Sequence, residues 1–192
     1  MRDEDLRRVF RRSAQARHCA ADATVIVEEL GIREGRARID LAVVNGSFHG
    51  YEIKSAADTL RRLPTQVNLY GQVLDFAGLV VAERHLRGAL AIVPSWWDIV
   101  VAYRPRRSIV LEPLRQGSPN ECVDKRALVE LLWHDDALQL LRRHDAVAGL
   151  AGKRRVHAWE RIVEVCTLSE IRDEVRAQLK RRAGRGSARP RR

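Results

Sequence analysis

The chain has 192 residues, enough for one sizeable core but not for two full enzyme domains, and carries 35 basic against 25 acidic residues with 45% hydrophobic side chains. No run approaches the ~18 apolar residues of a membrane-spanning helix, and the opening MRDEDLRRVFRR lacks the apolar stretch of a secretion signal. Cys19, Cys122 and Cys166 are far apart and without CxxC spacing, which argues against a disulfide framework or a zinc knuckle and points to a reducing cytoplasm. The basic excess sits at the two ends: six arginines in residues 1–20, and seven basic residues without an acid in KRRAGRGSARPRR, 180–192. Such a tail attracts polyphosphate without reading sequence. A solvated terminus that aids solubility is an equal alternative.

Residues 3–18 have helical spacing, with Leu6, Val9, Phe10 and Ala14 on one stripe. Three strands follow: ATVIVEEL (23–30), RARIDLAVV (36–44) and, after the turn signal Asn45-Gly46, SFHGYEIK (47–54). Asp58 is expected to cap a helical turn over 59–63, and Pro64 to open a helix reaching about Leu74. FAGLVVA (76–82) reads as a buried strand, ERHLRGALAIV (83–93) as a helix, and DIVVAYR (98–104) with SIVLEPL (108–114) as a hairpin. Beyond the break RQGSPNE (115–121) the pattern is helical, with Thr167 and Glu170 at capping-box spacing. The expected architecture is α/β, a mixed sheet flanked by helices over 1–115, with a small helical appendage over 116–182 and a disordered basic tail over 183–192.

The second and third strands carry the chemistry. Asp40 alternates with Ile39 and Leu41, and Glu52 and Lys54 alternate with Tyr51 and Ile53. A two-residue Asn45-Gly46 loop would set the two carboxylates on opposite faces of the sheet. A three-residue loop, Val44 to Gly46 with Gly46 left-handed, pairs Asp40 with Gly50. It unites Ile39, Leu41, Val43, Tyr51 and Ile53 on one core face and gathers Asp40, Glu52 and Lys54 on the other. Burial favours this register, in which Gly50 leaves room for an ion or a phosphate. Facing carboxylates repel unless a cation or proton lies between them, and their hard oxygens suit Mg2+ or Mn2+. The plain alternative is an exposed strand face on which Arg38 pairs with Asp40 and Lys54 with Glu52.

Asp40, an eleven-residue spacer and Glu52-Ile53-Lys54 resemble the signature of the PD-(D/E)XK nuclease superfamily, and the element order resembles its restriction-endonuclease-like core. QVNLY, Gln66 to Tyr70, is similar to the QxxxY motif of RecB-like members, and HGYEIKSAADTLRRLPTQVNLYGQVLDFAGLVVAERH resembles a RecB-like bacterial family of largely uncharacterised proteins. The proline of the superfamily's name is absent, Ile39 standing before Asp40. The resemblance implies that Asp40 and Glu52 bind Mg2+ (or Mn2+), that the Ile53 carbonyl completes the sphere, and that Lys54 is the catalytic lysine. An earlier acidic residue often joins them, Glu28 being the candidate and Glu29 the substitute. Gln66 and Tyr70 share a helix face and could hold nucleic acid, as could Arg38 and Arg61. Tyr70 also belongs to the apolar stripe of Leu63, Val67 and Leu74 and reads as core.

Trp96-Trp97 is better explained by packing a helix on the sheet than by base stacking, and His134-Asp135-Asp136 by a helix start than by a metal site. The expected activity is metal-dependent hydrolysis of DNA. The competing expectation is a nucleic-acid-binding or protein-interaction module without turnover.

Overall fold

The computed structural model describes residues 2–18, 24–106 and 108–184. A helix α1 (Asp3–His18) precedes β1 (Val25–Ile32), β2 (Ala37–Val44) and β3 (Phe48–Lys54); α2 (Leu63–Gly71) leads to β4 (Phe76–Ala82), and α3 (Leu86–Leu90) to β5 (Asp98–Tyr103) and β6 (Val110–Arg115). Four helices close the described chain: α4 (Lys125–Val129), α5 (His134–Arg143), α6 (Arg155–Val165) and α7 (Leu168–Gly184). The strands form one six-stranded sheet in sequence order. β3, β4 and β5 run parallel, and the remaining neighbours are antiparallel.

Helices cover both faces. Under α1, its stripe of Leu6, Phe10 and Ala14 buries Leu41, Val43, Tyr51, Ile53, Val80 and Val100, with Phe10 edge-on to Tyr51 at 4.9 Å between ring centroids. On the opposite face one continuous core runs from Ile39, Ala42, Val44 and Leu79 through Tyr70 and Trp97 to Leu140, Trp159 and Leu179. The C-terminal helices therefore share the core of the sheet, and α7 lies along β1 and β2. This differs from the expected appendage, because α7 packs on the sheet itself and α5 joins the same core beside α6. Their basic side chains are also partly internal. Arg182 is buried against Asp136 and lies over the ring of Trp133, and Arg172 and Arg176 hold Asp75. The last eight residues of the basic tail, 185–192, lie outside the described residues.

Local chemistry sets several boundaries. The capping box is present, with Thr167 N donating to Glu170 Oε2 at 2.7 Å and Glu170 N to Thr167 Oγ1 at 3.3 Å. Asp136 reaches back to the Trp133 N–H at the start of α5. Trp97 is fully buried and stacks on Tyr70, 5.8 Å between centroids, packing α2 to the sheet. Asp58 caps no helix over 59–63; it accepts from Ser55 N and Ser55 Oγ, pinning the chain just after Lys54. Past the end of α2, Asn120 Nδ2 takes up the Gly71 and Leu74 carbonyls at 2.7 and 2.8 Å. The span 83–93 holds a 3-10 turn and the short α3 rather than one long helix.

Two expectations about the hairpin are corrected. The loop has three residues but comprises Asn45, Gly46 and Ser47, since Val44 pairs with Phe48 and Ala42 with Gly50. Asn45 accepts from Ser47 N through its side chain, an Asx turn that needs no left-handed glycine, and Gly46 has none. Gly50 therefore lies opposite Ala42 and does not make room for an ion: a Cβ there would come within 2.5 Å of Leu74 Cδ1 and 3.2 Å of Ile39 Cγ2. The glycine lets the end of α2 approach the sheet. Gly50→Ala is expected to lower stability by about 1–3 kcal/mol through overpacking, read from urea unfolding midpoints; an unchanged midpoint contradicts this packing.

Candidate active site

The site arises where two strands change face together. On β1, Val25 and Val27 belong to the large core, but so do Leu30 and Ile32; on β2, Ile39 belongs to it, but so do Ala42 and Val44. Strict alternation fails on both strands between the pairs Glu28–Leu41 and Leu30–Ile39. The intervening Glu29 has φ 55°, a left-handed conformation unusual for a non-glycine residue in a strand. This shift separates Ile39 from Leu41 and Val43, which the sequence pattern placed on one face.

Asp40 stands at the shift. The ladder between β2 and β3 ends at Leu41–Tyr51, and beyond it Asp40 Oδ2 accepts the Ile53 N–H at 2.8 Å. A side chain thus takes over the ladder bond that the diverging backbone cannot make. Asp40 Oδ1 accepts from Arg7 Nη2 at 2.7 Å. Across the gap Glu52 is buried among donors: Lys54 Nζ and Gln66 Nε2 each reach Oε1 at 2.6 Å, and the Tyr70 hydroxyl lies 2.6 Å from Oε2 and 2.8 Å from the Arg38 carbonyl oxygen. Gln66 and Tyr70, one turn apart on α2, clasp the same carboxylate.

Both carboxylates and the lysine are nearly sealed, with relative exposures of 8% for Asp40, 2% for Glu52 and 3% for Lys54. The exposed, solvated strand face is thereby excluded, although one of its pairs, Lys54 with Glu52, is present. Arg38 pairs with Glu29 and not with Asp40. Burial and the neighbouring Glu52 charge push the Asp40 carboxyl up to about 6, against the pull of Arg7 and the Ile53 N–H. Burial, then Glu52, raises the Tyr70 hydroxyl well above its ordinary value. For Arg7, burial works against the charge, but Asp40 and Asp3 outweigh it and raise its pKa.

These groups line a cavity of about 340 Å³ with an acidic floor of Asp40 and Glu52 and a rim that includes Arg36, Arg38 and Arg62. Ile53, Lys54, Asp58 and Gln66 also face it. The Gln66 Oε1 atom is buried without a partner. A larger cavity of about 620 Å³ runs along α2 by Asn68, Trp96 and Pro119, with Glu121 as its only carboxylate and no basic side chain; the smaller one gathers the buried carboxylates and the lysine. Among the described residues no three His, Cys, Asp or Glu side chains form a ready ligand group. Two carboxylates with a backbone carbonyl fit Mg2+, which usually keeps several waters and takes only one or two protein carboxylates.

Of the residues expected from sequence, Asp40, Glu52, Ile53, Lys54, Gln66 and Arg38 meet at this cavity. Tyr70 touches Glu52 but is fully buried, so it positions the carboxylate and cannot contact nucleic acid. Arg61 is exposed and does not line the cavity, whereas Arg62 does. Glu28 is turned to Arg11 at 2.9 Å, both half-exposed; Glu29 is the acid joined to Asp40, through Arg7. Arg7 was not singled out by the sequence reading. Its signal is a charge beside the sheet-facing stripe of α1, four residues after Asp3, with which it pairs at 2.6 Å.

The model of the bacteriophage P4 protein cII family matches residues 9–189. The chain belongs to that family. Protein cII of Enterobacteria phage P4 is 25% identical over 164 residues, covering 84% of this chain and 60% of the phage protein, so the chain spans somewhat less than two thirds of that relative. A solved structure of a protein of unknown function from Silicibacter pomeroyi is 22% identical, with 71% of this chain and 88% of that one covered and a TM-score of 0.40. Among the described residues, no helix of this family member is long and apolar enough to cross a membrane.

The raised Asp40 pKa has a consequence for stability. An acid bound more tightly by its proton in the folded state than in the unfolded chain contributes stability that is fully present below about 3.8 and lost as pH rises through about 6. Carboxyl NMR should show Asp40 titrating near 6, and Glu52→Gln should move the midpoint down by removing the neighbouring charge. A midpoint near 4 in the parent protein contradicts the burial described.

Proposed function

We propose that this protein is a metal-dependent nuclease of the PD-(D/E)XK type, hydrolysing phosphodiester bonds in DNA at the Asp40–Glu52–Lys54 cavity. The observation that carries the reading is the convergence of two buried carboxylates from adjacent strands, beside a buried lysine, on the floor of an arginine-rimmed cavity. Burying two such groups together is costly for stability, and clustered perturbed carboxylates are a recurrent mark of working sites. The α1, β1–β3, α2, β4 order and the mixed sheet agree with the superfamily's core.

Asp40 and Glu52, with the Ile53 carbonyl, would hold Mg2+ or Mn2+; the ion supplies Lewis-acid polarisation of the phosphate and a more acidic bound water. Lys54, now on Glu52, is placed to orient the attacking water or to neutralise charge growing on phosphorus. Gln66 fixes Glu52 through one amide N–H and keeps an unpartnered oxygen for a donor on the substrate. Tyr70 locks Glu52 from behind. Arg36, Arg38 and Arg62 at the rim suit phosphates flanking the cleaved bond, contacts that position the duplex without reading its sequence. The alternative is a binding module on the same fold. It is favoured by one feature, that Arg7 and Lys54 already satisfy the acidic floor without a metal.

Cleavage of plasmid and linear DNA in Mg2+ or Mn2+ separates the two. Asp40→Ala, Glu52→Ala and Lys54→Ala should each reduce the rate on the order of 100-fold or more. Affinity for the divalent ion should weaken as pH drops through about 6, where Asp40 of the metal-free protein takes up its proton. Metal-indifferent binding without cleavage, or cleavage unaffected by these substitutions, removes the nuclease reading.

A further inference from the structure

Arg7 already fills the role of the cation that the acidic floor requires. Its guanidinium divides among three carboxylates from three elements: Nε to Asp3 at 2.6 Å, Nη1 to Glu29 at 2.7 Å and Nη2 to Asp40 Oδ1 at 2.7 Å. Asp3 and Glu29 are 41% and 38% exposed at their side chains and Asp40 only 9%, so the arginine is anchored at the rim and reaches inward with one nitrogen. Asp40 Oδ2 is committed to the Ile53 N–H. A divalent ion on Asp40 therefore meets Arg7 at Oδ1, where two cations repel at close range.

We propose that Arg7 is a built-in counter-cation of this site, which yields Asp40 Oδ1 to the divalent ion and then presents its freed Nη2 to a phosphate oxygen of the substrate. The inference rests on the metal-site reading above. Only one of the three arginine contacts has to break, because Nε and Nη1 keep their hold on Asp3 and Glu29. Glu29 is itself fixed by Arg38 on its other oxygen and by its left-handed backbone, a conformation retained where the surroundings over-determine it. In the free protein the arginine offsets the repulsion between Asp40 and Glu52, so the fold needs no ion; with the ion in place the same charge is redirected to the anion that arrives next. Planar guanidinium groups suit both tasks, since carboxylate and phosphate present similarly spaced oxygens.

The test is calorimetric titration of Mn2+ into the full chain at pH 8, for the parent protein, Arg7→Gln, Arg7→Lys and Asp40→Asn, paired with the affinity of each for duplex DNA in the presence of Mn2+. Removing the competitor should tighten Mn2+ binding by about tenfold in Arg7→Gln while DNA affinity weakens, with Arg7→Lys intermediate and Asp40→Asn losing Mn2+. A merely structural arginine would weaken both. If the parent binds Mn2+ and Arg7→Gln binds it equally or less tightly, the exchange is wrong and the metal site stands. No Mn2+ binding by the parent or by Arg7→Gln removes both. Should Arg7→Gln fail to fold by circular dichroism, Arg7→Lys, which keeps a charge but loses the forked reach to Asp40, carries the expectation of tighter Mn2+ and weaker DNA binding than the parent, and equal or weaker Mn2+ binding by it overturns the exchange.

Discussion

The bond from the Ile53 N–H to Asp40 Oδ2 is the contact on which the site depends. It lies where β2 leaves β3 after Leu41–Tyr51, and it replaces a ladder bond by a carboxylate. Had β2 continued in register, Asp40 would have pointed to one face and the cavity would be closed by backbone. The left-handed Glu29 in β1 makes the departure possible by turning β1 and β2 at one point. Its cost, of order 1–3 kcal/mol for such a conformation, is accepted in the segment that supplies the arginine anchor.

Charge balance explains the surroundings of that bond. Two acids in a low-dielectric floor require compensation, which comes from α1 through Arg7, from β3 through Lys54 and from α2 through Gln66 and Tyr70. Each of these elements is itself held by apolar packing: α1 by Leu6, Phe10 and Ala14, and α2 by Leu63, Leu69, Leu74 and the Tyr70–Trp97 stack. The close seat of α2 against Gly50 and the capping of its end by Asn120 place Gln66 and Tyr70 within reach of Glu52. Core and site thus stand on the same few residues.

Much of this was legible in the sequence. β-branched alternation located β1 to β6, and Pro64 marked the first turn of α2. The D…ExK spacing and QVNLY identified Asp40, Glu52, Lys54, Gln66 and Tyr70, all of which converge. The face switch was not legible, because it depends on a left-handed glutamate, a conformation that sequence pattern does not announce at a non-glycine residue. That one omission misassigned Ile39 and favoured Glu28 over Glu29, whereas the two-residue displacement of the hairpin register came from the Asx turn at Asn45. The preserved parity of the shift is why Asp40 and Glu52 were still expected together. The place of the C-terminal helices was missed for a different reason: amphipathic stripes show that a helix is buried on one side but not against which partner.

The central claim, that the Asp40–Glu52 cavity is built to take a divalent ion, is tested most directly by anomalous diffraction from crystals of the protein soaked in Mn2+. The account predicts a peak within coordination distance of Asp40 Oδ1, a Glu52 oxygen and the Ile53 carbonyl, with the Arg7 guanidinium displaced from Asp40. A map with no peak there, and Arg7 still seated on Asp40 at saturating Mn2+, would contradict it.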